Sequence, residues 1–252
     1  MPFDLPRGRM FPVAEIDVRL LPGPHPYETA NLASIDAHWR TASAANPALF
    51  DGQVVLLASL ALAGDRLVGT CHSVRFATFL HWRRDGAVPA AEHAFAAAMM
   101  VTSDGALIAG RMGRQTANAG QVYLPAGTFE AADFVDGKVD ADRNMAREVM
   151  EETGQRLAGL DRDPAFHAMW TQLGTVIVRR YYLPEPADLV AARIAEFIAS
   201  ETEPEITEAV VIRGPQDRPQ GLAGYMTDVI AWHFANPPDA SNQGLLPDAA
   251  GA

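Results

Sequence analysis

The sequence is poor in cysteine and in basic residues. Its single cysteine, Cys71, among 252 residues excludes an intrachain disulfide and a cysteine-rich zinc site. The 20 Lys and Arg residues are outnumbered by 31 Asp and Glu residues, which gives a formal net charge of −11. Because proteins bind the nucleic acid backbone by neutralising phosphates with Lys and Arg, this balance argues against a nucleic acid polymer as partner. It leaves a small nucleotide open, since a few arginines and a metal ion are enough for its phosphates.

Long apolar runs are also missing. No run reaches the roughly 18 residues that a membrane-spanning helix requires. The first ten residues, MPFDLPRGRM, lack the apolar core of a signal peptide. We therefore expect a soluble, cytoplasmic protein with no membrane partner, and a homodimer is left open. Apolar residues still make up 48% of the chain, which is enough for a substantial core.

Hydrophobic patterning predicts a mixed protein of class α+β or α/β. Alternation predicts a strand over residues 13–20, and apolar residues at helical spacing predict a helix over 28–45. Two apolar runs over 53–62 and 66–76, joined by Ala-Gly-Asp, predict a hairpin. The same reasoning predicts strands over 94–102, 106–111, 165–173, 176–183 and 209–212, and helices over 187–200 and 221–235.

The strongest chemical signal comes from three glutamates near the middle of the chain. Glu148 lies three residues before Glu151 and four before Glu152, so a helix places these carboxylates on one face. Like charges at these spacings repel each other. The cluster is therefore either a solvated acidic face or a cage for a hard cation such as Mg²⁺, which prefers oxygen ligands.

Local signals mark the two ends of this helix. Asp140 or Asp142 can cap its start, and Gly154 occupies the position at which a glycine commonly ends a helix. Met145 and Val149 form an apolar stripe, so one side of the helix can pack while the acidic side stays open.

The order of residues in this stretch resembles the Nudix box. The segment from Arg147 to Gly154, Arg-Glu-Val-Met-Glu-Glu-Thr-Gly, resembles its helix half, Arg-Glu-U-x-Glu-Glu-x-Gly-U, in which U is aliphatic. The upstream Leu124-Pro-Ala-Gly127 looks like the loop that opens the box, with Ala126 in place of the usual first glycine.

The sequence departs from the family pattern upstream of the helix. Gly127 lies twenty positions before Arg147 where the family has fourteen, so this loop is longer. Val139 stands where the family has a further glutamate. We expect the extra residues between Glu130 and Asp140 to form a loop that faces the substrate.

The resemblance implies the Nudix fold, an α/β/α sandwich with a mixed sheet. It implies metal-dependent hydrolysis of the pyrophosphate bond of a nucleoside diphosphate linked to another moiety, as in a nucleotide sugar or an ADP-ribose-like or coenzyme A-like molecule. Residues 46–52 resemble a segment of nucleotide-sugar pyrophosphatases. Residues 89–235 would form the Nudix hydrolase domain, and 236–252 a loose tail. Residues 1–88 would form a strand-helix-hairpin extension that packs on the core or contributes to it.

The resemblance also assigns roles in the catalytic centre. Glu148, Glu151 and Glu152 would bind Mg²⁺ or Mn²⁺, and Glu148 would alternatively serve as the base or position it. Arg147 would orient the carboxylates through charge-assisted hydrogen bonds. The opening loop would offer the backbone carbonyl of Ala126 to the metal.

Two further sets of residues are candidates outside the box. Glu208, just before a late strand, is the first candidate for an additional metal carboxylate and Glu205 the second, with a solvated acidic turn as the alternative. Arg111 and Arg114 lie in a glycine-containing loop and suit a diphosphate, because guanidinium binds phosphate oxygens bidentately. The alternative for that loop is an ordinary solvated surface.

A rival to the hydrolase is a non-catalytic Nudix-fold module that binds a nucleotide or regulates another protein. The valine in place of the box glutamate and the longer loop are the features that favour it. Metal-dependent release of a nucleoside monophosphate would separate the two.

Overall fold

A computed structural model describes residues 2–86, 90–172 and 174–238 of the chain. The strands in these residues are β1 (Phe3–Asp4), β2 (Phe11–Val13), β3 (Glu15–Leu20), β4 (Gln53–Ala63), β5 (Arg66–Arg75), β6 (Ala94–Val101), β7 (Leu107–Met112), β8 (Val122–Tyr123), β9 (Ala126–Thr128), β10 (Phe134–Val135), β11 (Lys138–Val139), β12 (Asp161–Arg162), β13 (Phe166–Thr171), β14 (Gly174–Tyr182) and β15 (Ile206–Ile212). The α-helices are α1 (Pro26–Ala45), α2 (Phe76–Asp85), α3 (Ala141–Thr153), α4 (Ala187–Ser200) and α5 (Met226–Ala235), and a 3-10 helix covers Ala131–Asp133. No helix among the described residues is long and apolar enough to cross a bilayer.

The mixed α/β class predicted from the sequence is confirmed. The predicted hairpin is present, since β4 and β5 pair antiparallel from Gln53↔Arg75 to Ala63↔Arg66. Helix α2 is not among the elements that the sequence predicts. It begins after Arg75, whose side chain makes no capping hydrogen bond, so the usual signal of a helix start is missing from the sequence.

The chain divides into two compact units. The first comprises residues up to 96 together with 127–144 and 165–177, and the second comprises 97–126, 145–164 and the residues from 178 onward. The predicted domain boundary between residues 88 and 89 lies outside the described residues, as do positions 239–252 of the predicted tail. The predicted division into three parts therefore stays a prediction.

The first unit is built on a six-stranded sheet with the strand order β1-β4-β5-β3-β11-β10. Strand β3 runs parallel to β5, whereas β4 runs antiparallel to it. An apolar cluster that includes Tyr27, Leu56, Val74, Phe79 and Trp82 joins this sheet to α1 and α2. Burying each such large side chain contributes roughly 1.5–3 kcal/mol.

The residues that lengthen the box loop belong to this sheet and do not form a free loop. Strands β10 and β11 pair antiparallel across Asp136 and Gly137, whose φ angles are 49° and 75°. Two positive φ values are what a tight two-residue hairpin turn requires, and Asp-Gly is a favoured sequence for it. Strand β11 then pairs with β3 through Lys138↔Arg19, and Val139 is buried. The expected substrate-facing loop is therefore an edge hairpin of the sheet.

The second unit contains strands in the order β15-β7-β6-β14. Strand β15 pairs antiparallel with β7 from Ile206↔Met112 to Ile212↔Leu107, and the register shifts between Ile206 and Glu208. Strand β8 continues beside β7, and β12 lies beside β14. This unit contains the three glutamates of α3.

Candidate functional site

Helix α3 begins and ends where its local signals predict. The Asp140 carboxylate accepts a hydrogen bond from the Arg143 N–H at 3.0 Å, which caps the first turn. Gly154 has a φ of +67°, the left-handed conformation typical of a glycine after a helix. A Cβ at Gly154 would lie 2.5 Å from Cδ2 of Phe197. Both the backbone conformation and the packing therefore require glycine here.

The predicted apolar stripe of α3 is buried. Met145 and Val149 have no exposed surface. Of the acidic residues on the same helix, Glu148 and Glu152 are 8% and 3% exposed, whereas half of the Glu151 side chain is in solvent. The cluster is thus not a solvated face, because two of its three carboxylates are buried.

Each of these carboxylates has a hydrogen-bonding partner. Arg147 Nη1 lies 2.7 Å from Glu148 Oε1 and 3.0 Å from Glu151 Oε2. The Ala126 N–H donates to Glu152 Oε1 at 3.2 Å. The structure therefore brings together all five residues that the motif assigns to the box, and Arg147 offsets part of the repulsion among the glutamates.

The surroundings of this cluster disfavour negative charge. Burial, together with the neighbouring Glu148, raises the pKa of Glu152 well above its ordinary value, and the Ala126 N–H opposes this shift. Burial and the proximity of Glu151 raise the pKa of Glu205, and Arg147 opposes that shift. Carboxylates held this close in a poorly solvated site favour a cation as a partner, since it would offset their mutual repulsion.

A pocket of about 290 Å³ opens beside α3. Its lining residues are mostly acidic, and none is basic: Glu151, Glu152, Phe197, Glu201, Glu203, Pro204 and Glu205. Carboxylate oxygens are the ligands that Mg²⁺ and Mn²⁺ prefer, so the donor set fits a hard divalent cation. Within the described parts of the chain, no three or more His, Cys, Asp or Glu side chains are already arranged as a metal site.

The two candidate carboxylates outside the box lie in different surroundings. Glu205, the second candidate, lines the pocket next to Glu151. Glu208, the first candidate, pairs across the strands with Arg111, at 2.7 Å between Oε2 and Nε, and its side chain is 56% exposed. An opposite-charge pair at facing positions is a common sheet contact. The sequence alone does not predict the Arg111–Glu208 pair, because the pair depends on the register of β15 on β7.

The two predicted phosphate-binding arginines also differ. Arg111 is engaged by Glu208 and also donates from Nη1 to the backbone oxygen of Gln220 at 2.7 Å. Arg114 is exposed, and no ion pair of its guanidinium is found in residues 2–86, 90–172 and 174–238. Of the two, Arg114 has the guanidinium that is open to a ligand.

No protein-family model matches the chain, and no curated protein matches it. Several solved structures are similar to it. The MutT protein of Methanosarcina mazei Go1 is 19% identical, with 56% of this chain and 91% of that chain covered and a TM-score of 0.38. A mutT/nudix family protein from Listeria innocua is 15% identical, with 57% and 92% covered and a TM-score of 0.39.

A third similar structure is the Nudix domain of Shewanella oneidensis NrtR, solved in complex with ADP ribose. It is 10% identical, with 48% of this chain and 72% of that chain covered and a TM-score of 0.30. These proteins belong to the family that the sequence motif resembles. At such identities and TM-scores the similarity does not assign an activity to this chain.

Proposed function

We propose that this protein is a metal-dependent hydrolase of the Nudix type. Its substrate would be a nucleoside diphosphate linked to another moiety, and the bond cleaved would be the pyrophosphate bond. The observation that supports the proposal is the carboxylate cluster. Glu148, Glu151 and Glu152 lie on one helix in the ordered Nudix-box pattern. Glu205, from a separate segment, lines a pocket together with Glu151 and Glu152.

The residues of the site suit this reaction. A pyrophosphate carries clustered negative charge that repels an attacking water. A divalent cation, when bound, neutralises part of that charge, aligns the phosphates and acidifies a water. Glu148, Glu151, Glu152 and Glu205 would hold the cation, and the carbonyl of Ala126 would add a neutral ligand.

The remaining residues of the site would orient the metal-binding carboxylates and bind the substrate. Arg147 keeps Glu148 and Glu151 in fixed directions through its two ion pairs. The distances of 2.7 and 3.0 Å from Arg147 Nη1 to the two carboxylates support this role. Glu148, buried and adjacent to the other ligands, is the residue that would accept a proton from the attacking water if it is not itself a ligand. Arg114 would bind a phosphate oxygen of the substrate.

The test is a screen of nucleotide sugars, ADP-ribose, dinucleotides and acyl-coenzyme A with Mg²⁺ and with Mn²⁺. Release of a nucleoside monophosphate that stops in excess EDTA is the expected result. Glu152→Gln should lower kcat/KM on the order of 100-fold, since a lost ligand costs at least as much as a lost supporting residue. The fold should be kept, because the exchange preserves shape and removes a buried negative charge.

Glu196→Gln is the matched control. Glu196 is an exposed glutamate of α4 that does not line the pocket, so the same chemical change should leave turnover at the wild-type level. Turnover that persists in EDTA would refute the metal requirement. Nucleotide binding without turnover on any of these substrates would instead favour the non-catalytic module.

A further inference from the structure

The loop after β7 holds the segment that carries Glu205. The Gly113 N–H donates to the backbone oxygen of Glu205 at 2.7 Å, and Gln115 Nε2 donates to the backbone oxygen of Pro204. Thr116 closes the loop on itself, because its N–H and its hydroxyl both donate to the Gly113 oxygen, at 3.2 and 2.9 Å. One short loop thus donates hydrogen bonds to two adjacent carbonyls, those of Pro204 and Glu205.

Gly113 is a glycine because of the Gln115 side chain. A Cβ at Gly113 would lie 2.7 Å from Oε1 and 2.9 Å from Nε2 of Gln115. Gly113 is not among the residues with positive φ, so its backbone conformation would accept an alanine. The glycine leaves the space through which Gln115 folds back towards Pro204, and a methyl group there would displace the amide.

The other side of Glu205 is fixed by the core of the unit. Ile206 is fully buried and begins β15, opposite Met112 of β7. Residues 203–205 precede β15, so the strand ladder does not include them. The hydrogen bonds from Gly113 and Gln115 hold the two carbonyls of that segment, next to the Glu205 side chain that lines the pocket.

We propose that Gln115 is a positioning residue for the cation site. It would hold the 203–205 segment so that the Glu205 carboxylate stands beside Glu151. The proposal rests on the proposed function in that the ligand is the divalent cation of that site. It adds that the exposed loop after β7 determines the affinity for the cation through Glu205.

The experiment measures Mn²⁺ binding by electron paramagnetic resonance of the free ion. Gln115→Ala and Gly113→Ala should each weaken binding about threefold to tenfold, the effect expected for one hydrogen bond. The double variant should bind Mn²⁺ no more weakly than the more affected of the two single variants, because both changes remove the same contact. In a Glu205→Gln background, Gln115→Ala should have no further effect. Gln121→Ala is the matched control, as Gln121 lies in the same loop and its side chain makes no hydrogen bond within the described residues.

Two further measurements show whether Gln115 acts by positioning Glu205 or by stabilising the protein in general. They also test the inference separately from the proposed function. Amide hydrogen exchange of residues 201–206 in the metal-free protein should be faster in Gln115→Ala and unchanged in Gln121→Ala. At saturating Mn²⁺ the kcat of Gln115→Ala should recover, whereas that of Glu205→Gln should stay low. Wild-type Mn²⁺ affinity in Gln115→Ala would overturn the inference, whatever its exchange rates. Weakened Mn²⁺ binding together with altered exchange, in a protein that hydrolyses none of the substrates, would support the inference and refute the proposed function.

Discussion

His93 is expected to make the free energy of unfolding depend on pH. The residue is 6% exposed, and its ring centroid lies 4.7 Å from that of Phe79 and 5.5 Å from that of Phe95. Its Nδ1 is buried and finds no hydrogen-bond partner in the described residues. Burial, with a smaller contribution from the charge of Arg83, lowers the pKa of His93 from 6.5 to about 3. The folded protein therefore keeps this imidazole neutral in mild acid.

The sign and size of the effect follow from the two pKa values. Between pH 6.5 and 3 the unfolded chain binds a proton at this position and the folded protein does not, so acid favours unfolding. Stability is thus fully present above the unfolded pKa and is lost as the pH falls below it. At pH 5 the loss amounts to about 2 kcal/mol, whereas near pH 7 it is close to zero.

The assay is urea unfolding at pH 7 and at pH 5 in the presence of EDTA. We compare the free energy of unfolding of the wild type with that of His93→Phe. The wild-type value minus the variant value should be about 2 kcal/mol lower at pH 5 than at pH 7, because only the wild type has the histidine. Phe79→Leu is the control, since it disturbs the same aromatic cluster without removing a titratable group. A wild-type minus His93→Phe difference that is equal at both pH values would refute the reasoning.

Two further predictions concern the end of α3 and the substrate. Gly154→Ala should destabilise the protein by roughly 2–4 kcal/mol in urea unfolding, from the left-handed backbone and the contact with Phe197. Gly159→Ala shares a positive φ but meets no atom within 4 Å, so its cost should be smaller, and equal costs would exclude the Phe197 contact. Arg114→Ala should raise KM for the substrate and leave kcat unchanged in steady-state kinetics, since uniform phosphate binding appears in KM. An unchanged KM would make Arg114 an ordinary surface residue.

The site helix was predictable because its determinants are local. Asp140 caps it, Gly154 ends it, and the spacing of Met145 and Val149 decides which face is buried. Each of these effects acts within one or two turns, so the sequence contains all of the information. The Asp136-Gly137 turn is equally local. The flanking strands β10 and β11 are only two residues long each, so no apolar alternation marks them in the sequence.

The sequence by itself determined the helix, its carboxylate face, the hairpin of β4 and β5 and the mixed α/β class. Tertiary structure alone decided which late glutamate reaches the pocket. Glu205 and Glu208 are three residues apart in the same acidic segment. Glu208 lies in β15, paired with Arg111, whereas Glu205 precedes the strand in a segment that Gln115 contacts from 89 positions away, at Pro204. Contacts between residues so distant in sequence leave no local pattern, because they depend on how independently formed elements pack.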